Sequence, residues 1–322
     1  MLDFSSIREL SLSEAIGVHG SQNKAADALG IPRSTFRRRL KKEQVSQGMR
    51  EIRGRIKKEE PKKEAKQSTI KTVMVIGDFH RCPSMKNDIP KWLGMFANDI
   101  QPDAIVHIGD LGDFDSVARF IEKGSFDGKA QPSIDQDIES VAAGFRDFHQ
   151  YYTAENEVIL HTTLGNHDER LWIYENANPQ SYETFTNKFT GMLEHYGWAW
   201  SRFGAYKNIF GVDFTHAPMH EGGRAISGKG AVQRIANESQ RDVVFGHTHK
   251  FCVMSVAKLG HSGRVTAVNV GCTLPQGYIK PYAKLNANGW WWGVVLLTII
   301  DGKIEGVQSK PMAELEKEYS CL

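Results

Sequence analysis

Cysteine is scarce in this chain: Cys82, Cys252, Cys272 and Cys321 are scattered without paired spacing. That excludes a disulfide framework and argues against a cysteine zinc site. Long apolar runs are also missing. The longest, Trp290 to Ile300, has 11 residues against the ~20 needed to span a bilayer, so no membrane span is expected and the run reads as a buried strand. The opening residues MLDFSSIREL carry neither the cationic nor the apolar part of a secretory signal, and a cytoplasmic protein is expected. What is present is 322 residues, 40% hydrophobic, 24% charged and 10% aromatic. This is the composition of a folded, enzyme-sized protein with a sizeable core, and it excludes a wholly disordered one.

Charge is divided unevenly. The net charge is +2, yet residues 1–71 hold 17 Lys and Arg against 9 Asp and Glu, and the rest holds 23 against 29. A basic arm on a more acidic body favours polyanions by counterion release, and such arms also serve simply as solvated linkers.

Residues 1–42 read as a small helical domain. Ala25, Ala26 and Leu29 fall at helical spacing, Gly30 ends that helix, and Ile31 packs in the turn. Pro32, Ser34 and Thr35 suit the start of another helix whose apolar face is Phe36 and Leu40. Two helices joined by a tight turn make a helix-turn-helix. The stretch NKAADALGI followed by RSTFRRRL resembles the factor-for-inversion-stimulation type. That resemblance implies a second helix in the DNA major groove, with Arg33, Ser34, Thr35, Arg37 and Arg38 facing bases or phosphates. A helical oligomerisation cap with solvated arginines is the alternative. Residues 43–69 are charge-dense, broken by Gly48, Gly54 and Pro61, and read as a basic tether.

Residues 70–322 alternate β-branched runs with amphipathic stretches, the pattern of an α/β domain. Strands are expected at 70–76, 104–108, 157–163, 209–214 and 242–245. Later runs near 251–258, 264–270, 291–299 and 303–308 lack intervening helices and predict a second, more antiparallel sheet. The first five strands run into Gly77-Asp78-Phe79-His80, Gly109-Asp110, Gly165-Asn166-His167-Asp168, Thr215-His216 and Gly246-His247-Thr248-His249. Ligands bind at the carboxyl ends of strands in open α/β sheets, so these polar residues can converge. Four histidines, two aspartates and an asparagine amide suit divalent transition ions, and glycine before them lets the backbone approach closely. His107 and His161 lie inside apolar strands and read as structural.

The ordered set D-x-H, G-D, G-N-H-D, H, G-H-x-H resembles the calcineurin-like metallophosphoesterase superfamily over residues 70–275. Asn269-Val270-Gly271-Cys272 resembles its N-P-G-S turn and departs from it at Val270 and Cys272. The resemblance implies two mixed β-sheets packed as a sandwich flanked by helices. It implies one ion on Asp78, His80, Asp110 and His249 and another on Asp110, Asn166, His216 and His247, with Asp110 bridging and a shared hydroxide as attacking group. His167 would be a general acid or charge stabiliser near the leaving group, with Asp168 orienting it or a ligand, or capping the following helix. Asp113 and Asp115 lie near Asp110 as supporting groups or as solvated carboxylates. Arg170 reads as an outward-facing helix residue, with a phosphate contact as the alternative. The donors accept Mn, Fe, Zn or Ni, with Mn expected.

This chemistry serves protein phosphatases, nucleotide phosphodiesterases and nucleases alike. The helix-turn-helix tips the expectation toward a DNA phosphodiesterase. The alternatives are a phosphatase or cyclic-nucleotide phosphodiesterase brought to DNA or self-associated through its N-terminus, and a DNA-binding regulator with a silent metal site.

Overall fold

The computed structural model describes residues 11–43, 69–118, 131–259, 263–279, 283 and 287–321. They fall into two compact units, one within Met1–Gln67 and one within Ser68–Leu322. The expected tether, apart from its two ends, lies outside the described residues.

The first unit has three described helices: α1 (Leu12–His19), α2 (Gln22–Ala28) and α3 (33–43). Ser11 and Glu14 make a reciprocal capping box at the start of α1. This Ser-x-x-Glu signal marks a helix preceding the expected pair. Ala15, Ala25, Ala26, Phe36 and Leu40 share one small core, with Ile31 packed against it. Leu29 stays 43% exposed, because it stands just past α2 where Gly30 turns the chain through a φ of 64°.

The second unit runs β1 (Ile70–Ile76), α4 (Ile89–Ile100), β2 (Ala104–His107), α5 (Ile134–Tyr151), β3 (Ile159–Thr163), α6 (Arg170–Ala177), α7 (Phe185–His195) and β4 (Ala199–Ser201). It continues with β5 (Lys207–Ile209), β6 (Val212–Phe214), α8 (Ala231–Glu238), β7 (Val243–Phe245), β8 (Phe251–Ala257), β9 (Arg264–Val270), β10 (Gly293–Ile300), β11 (Lys303–Pro311) and α9 (Met312–Tyr319). One sheet has the order β11-β10-β1-β2-β3-β4, the other β5-β6-β7-β9-β8. In the first, β1 to β4 are parallel and β10 and β11 antiparallel. In the second, β6, β7 and β9 are parallel between antiparallel edges.

Side-chain alternation along the strands divides the core into layers. Val73, Val75, Val106 and Ile108 from the first sheet meet Val212, Phe214, Val244 and Val268 from the second. Met74, Ile76 and Ile105 point the other way, into a helical layer with Leu93 of α4, Phe145 of α5 and Leu315 of α9. Ile235 and Ala236 of α8 cover Val243 and Phe245 on the outer face of the second sheet. The result is a helix–sheet–sheet–helix sandwich.

Two expectations change. The late runs do not form one sheet: β8 and β9 join the second, while β10 pairs with β1 from Ile70↔Ile300 to Ile76↔Val294. β10 is apolar on both faces, with Val294 in the helical layer and Val295, Leu297 and Ile299 between the sheets, so it needs a central position. The run 209–214 is a hairpin split between β5 and β6, turning at Phe210 and Gly211 with φ of 51° and 87°.

Candidate metal centre

The parallel strands deliver their carboxyl ends to one edge of the sandwich, and the polar strings begin there. Close approach explains the glycines. A Cβ on Gly165 would lie 2.1 Å from Asp110 Oδ1, and one on Gly246 would lie 2.3 Å from Asp78 Oδ1. Past these turns His80, Asp110, His247 and His249 take positive φ of 50°, 49°, 67° and 56°. Non-glycine residues held there are strained, and such strain gathers at functional sites.

Three sets of donor atoms result, each within 4.8 Å: Asp78, His80 and His249; His80, Asp110 and His167; Asp110, His216 and His247. Asp110 Oδ2 stands between the groups, 3.6 Å from His80 Nε2 and 3.5 Å from His216 Nε2. Asn166 Oδ1 lies 2.8 Å from His247 Nδ1 and 3.2 Å from His216 Nε2. Asp78 Oδ2 is 3.0 Å from His249 Nε2.

The tautomers decide what these atoms can hold. His80 Nδ1 donates to Asp113 Oδ1 at 2.9 Å, and His216 Nδ1 donates to the Ile108 carbonyl at 2.8 Å. Each imidazole therefore turns the lone pair of its Nε2 inward. His80 Nε2 then faces His249 Nε2 at 3.0 Å and His216 Nε2 faces the Asn166 carbonyl oxygen. The inward Nε2 lone pairs of His80 and His216, on either side of the Asp110 carboxylate, fit a cation. Burial pushes His80 and His247 down to about 4, which keeps them neutral and able to ligate. Burial and the neighbouring Asp78 charge push Asp110 well above the ordinary carboxylate range. Burial opposes ionisation of Asp78 too, but the facing histidines outweigh it and hold that group low. A cation beside Asp110 would reverse the cost of its charge.

His167 is nine-tenths buried at the same edge. Its backbone N–H donates to Asp110 Oδ1 at 2.8 Å, its Nδ1 donates to the Asp113 carbonyl at 3.1 Å, and its Nε2 accepts from Arg170 Nη2 at 3.3 Å. Arg170 does not face solvent. It opens α6, and its side chain, 16% exposed, reaches back to bond the Asp113 carbonyl at 2.7 Å. Its position after His167-Asp168-Glu169 in the first turn is the signal that would have found it, since helix side chains lean toward the N-terminus. Asp113 is a buried hub, its carboxylate on His80 and its carbonyl on His167 and Arg170.

Asp168 accepts from the backbone N–H groups of Gly165, Leu111 and Gly112 at 2.8, 3.0 and 3.3 Å. It therefore braces the loop carrying Asp110, and neither caps α6 nor touches the His167 ring. Val270 belongs to the intersheet core, and the Cys272 thiol donates to the Trp291 carbonyl at 3.4 Å. His107 and His161 are buried in their strands: His107 Nδ1 accepts from Gly109 N–H and His161 Nε2 meets Ser201 Oγ. In the first unit Arg37 and Arg38 are exposed on α3, as is Ser34, while Thr35 is half-buried. Arg33 pairs with Asp27 of α2 at 2.6 Å.

No helix among the described residues is long and apolar enough to cross a membrane. Residues 71–251 match the family described as calcineurin-like phosphoesterase, and residues 12–42 match bacterial regulatory protein, Fis family. The chain is similar to the gene 54 protein of Mycobacterium phage D29, 28% identical over 239 residues that make 71% of this chain and 89% of that protein. It is similar also to the gene 54 protein of Mycobacterium phage L5, 29% identical over 248 residues, 72% of this chain and 90% of that one. Among solved structures it is similar to wild-type Vps29 of Entamoeba histolytica complexed with zinc. That match has 14% identity, covers 74% of this chain and 97% of the other, and has a TM-score of 0.37.

Proposed function

The chain belongs to the calcineurin-like phosphoesterase family, and from that premise we propose that this metal-dependent phosphoesterase is a DNA phosphodiesterase of the nuclease type. Asp78, His80, Asp110 and His249 would hold one divalent ion and Asp110, Asn166, His216 and His247 the other, with Mn the preferred metal. Bound there, the ions supply Lewis-acid charge that polarises the phosphoryl oxygens and activates water.

The protein's own groups do the rest. Asp113 and the Ile108 carbonyl keep His80 and His216 in the ligating tautomer. Asp168 keeps the Asp110 loop in place through its backbone hydrogen bonds. His167, steadied at Nδ1 by the Asp113 carbonyl, serves the leaving oxygen through Nε2. Arg170 now donates to that nitrogen. An arriving phosphate is a stronger acceptor for the guanidinium and uncovers Nε2. Burial, His80 and Arg170 hold His167 well below the usual imidazole range, so a proton on Nε2 would have to be taken up from solvent as the phosphate's negative charge arrives.

The observation that carries the DNA reading is the Fis-type match at residues 12–42, together with the exposed Arg37 and Arg38 on α3. The test is an activity panel in Mn²⁺ with linear and nicked DNA, RNA, cyclic nucleotides and a phosphopeptide. DNA is expected to be cut, and Asp110→Asn to lose both metal content and turnover. Turnover of the phosphopeptide or a cyclic nucleotide with none of DNA would refute the nuclease reading.

A further inference from the structure

A cavity of about 500 Å³ opens beside the candidate metal centre. His80, Asp110 and His167 line it together with Lys250 and Trp290. A second cavity, about 410 Å³, shares Gly228, Thr248 and Lys250 with the first, so the space continues past Lys250 as a groove. It is far larger than a phosphate requires.

The three consecutive tryptophans do not behave alike. Trp291 packs on Phe251, ring centroids 4.8 Å apart, and belongs to the intersheet layer. Trp292 packs against the helical layer and donates its indole N–H to the Tyr278 carbonyl at 3.0 Å. Trp290 joins none of the apolar clusters of the described residues. Its half-buried ring stands on His249, centroids 4.1 Å apart, and lines the cavity. Its backbone is held there by the Trp290 backbone N–H donating to the Ala287 carbonyl at 3.1 Å and by the Trp291 backbone N–H donating to the His249 carbonyl at 2.8 Å. A half-buried indole that lines the cavity beside the candidate donors offers a stacking surface, and every nucleobase has a π-face to meet it. Lys250, at the junction of the two cavities, forms no ion pair among the described residues and suits a phosphate as a point charge.

We infer that this groove is a nucleotide subsite, in which Trp290 stacks on the base next to the scissile phosphate and Lys250 meets the neighbouring phosphate. The inference rests on the phosphodiesterase reading and names its substrate class at the same site.

Calorimetric titration of the full chain in EDTA, where nothing turns over, compares thymidine 5′-monophosphate with deoxyribose 5-phosphate. The nucleotide is expected to bind about tenfold tighter or more. Trp290→Ala should erase that advantage and Trp290→Phe keep most of it. Lys250→Ala should weaken the dinucleotide pTpT more than the mononucleotide. Equal binding of the two probes by the wild type, or an advantage that survives Trp290→Ala, overturns the inference. In Mn²⁺, Trp290→Ala should lower kcat/KM for the p-nitrophenyl ester of thymidine 5′-monophosphate relative to bis(p-nitrophenyl) phosphate. An equal loss on a phosphotyrosine peptide would make Trp290 a general wall of the site and also overturn it. If the wild type cleaves no ester at all, the phosphoesterase reading fails, and the calorimetric comparison still decides the subsite.

Discussion

At the scale of single residues, the candidate centre stores strain in order to converge. His80, Asp110, His247 and His249 each sit at positive φ, a conformation that costs roughly 1–3 kcal/mol per non-glycine residue. The neighbouring glycines leave the space that these turns need. The donors were legible because each follows a β-type run in one order and all but His216 also follow a glycine. Arg170 was legible only through the lean of first-turn side chains toward the helix N-terminus, because helical periodicity says which face a residue lies on but not that its side chain reaches back across a loop. His167 has a ring nitrogen within 4.8 Å of the His80 and Asp110 donors, yet both its ring nitrogens are engaged by protein groups, Nδ1 by the Asp113 carbonyl and Nε2 by Arg170. His167→Ala is therefore expected to keep its metal content while hydrolysis slows by ~10²–10⁴-fold. Metal analysis and turnover on paired good and poor leaving groups check this. The loss should be smaller for good leaving groups, and an equal loss on both would mark positioning or charge stabilisation instead of proton transfer.

At the scale of elements, the helical layer is built on a close crossing of α4 and α5. A Cβ on Gly94 would lie 2.3 Å from the Phe148 carbonyl oxygen, and that backbone atom cannot step aside as a side chain would. Gly94→Ala raises helix propensity and yet is expected to destabilise, by about 1–3 kcal/mol, because forcing the helices apart outweighs the ~1 kcal/mol gained in propensity. Urea unfolding would show it as a lower midpoint at unchanged slope, and an unchanged midpoint would mean that the helices separate at no cost. β1, β2 and β3 were legible from their β-branched runs and the helices only as amphipathic stretches without bounds, while β4 was not expected. The pairing of β10 with β1 was not, since nothing local links Ile300 to Ile70. The hairpin of β5 and β6 was read as one strand because its turn residues Phe210 and Gly211 interrupt neither charge nor hydropathy strongly.

At the scale of the whole molecule, the basic arm and the acidic body divide the labour in the reading proposed here. Every candidate donor lies beyond Ser68, as does a complete sandwich. A chain starting at Ser68 is expected to fold and to hydrolyse a small phosphodiester, but to bind duplex DNA far more weakly than the full chain at equal salt. In the full chain, replacing Arg37 and Arg38 with alanine should flatten log K against log salt by roughly one unit per lost phosphate contact. Filter binding at several salt concentrations measures both. Undiminished DNA binding by the shortened chain would make the N-terminal helices an oligomerisation or partner-binding element. By itself the sequence determined what is local: strand and helix periodicity, the glycine-led strings at strand ends, the helix-turn-helix, and the excess of charge at one end. The tertiary structure alone decided which histidine nitrogens bear lone pairs, that Asp113 and not Asp168 holds His80 and His167, that Arg170 turns inward, and that only one of three adjacent tryptophans faces the site. Each of these depends on hydrogen bonds and packing between residues tens to hundreds of positions apart, and a sequence pattern carries periodicity along the chain but no distance across it.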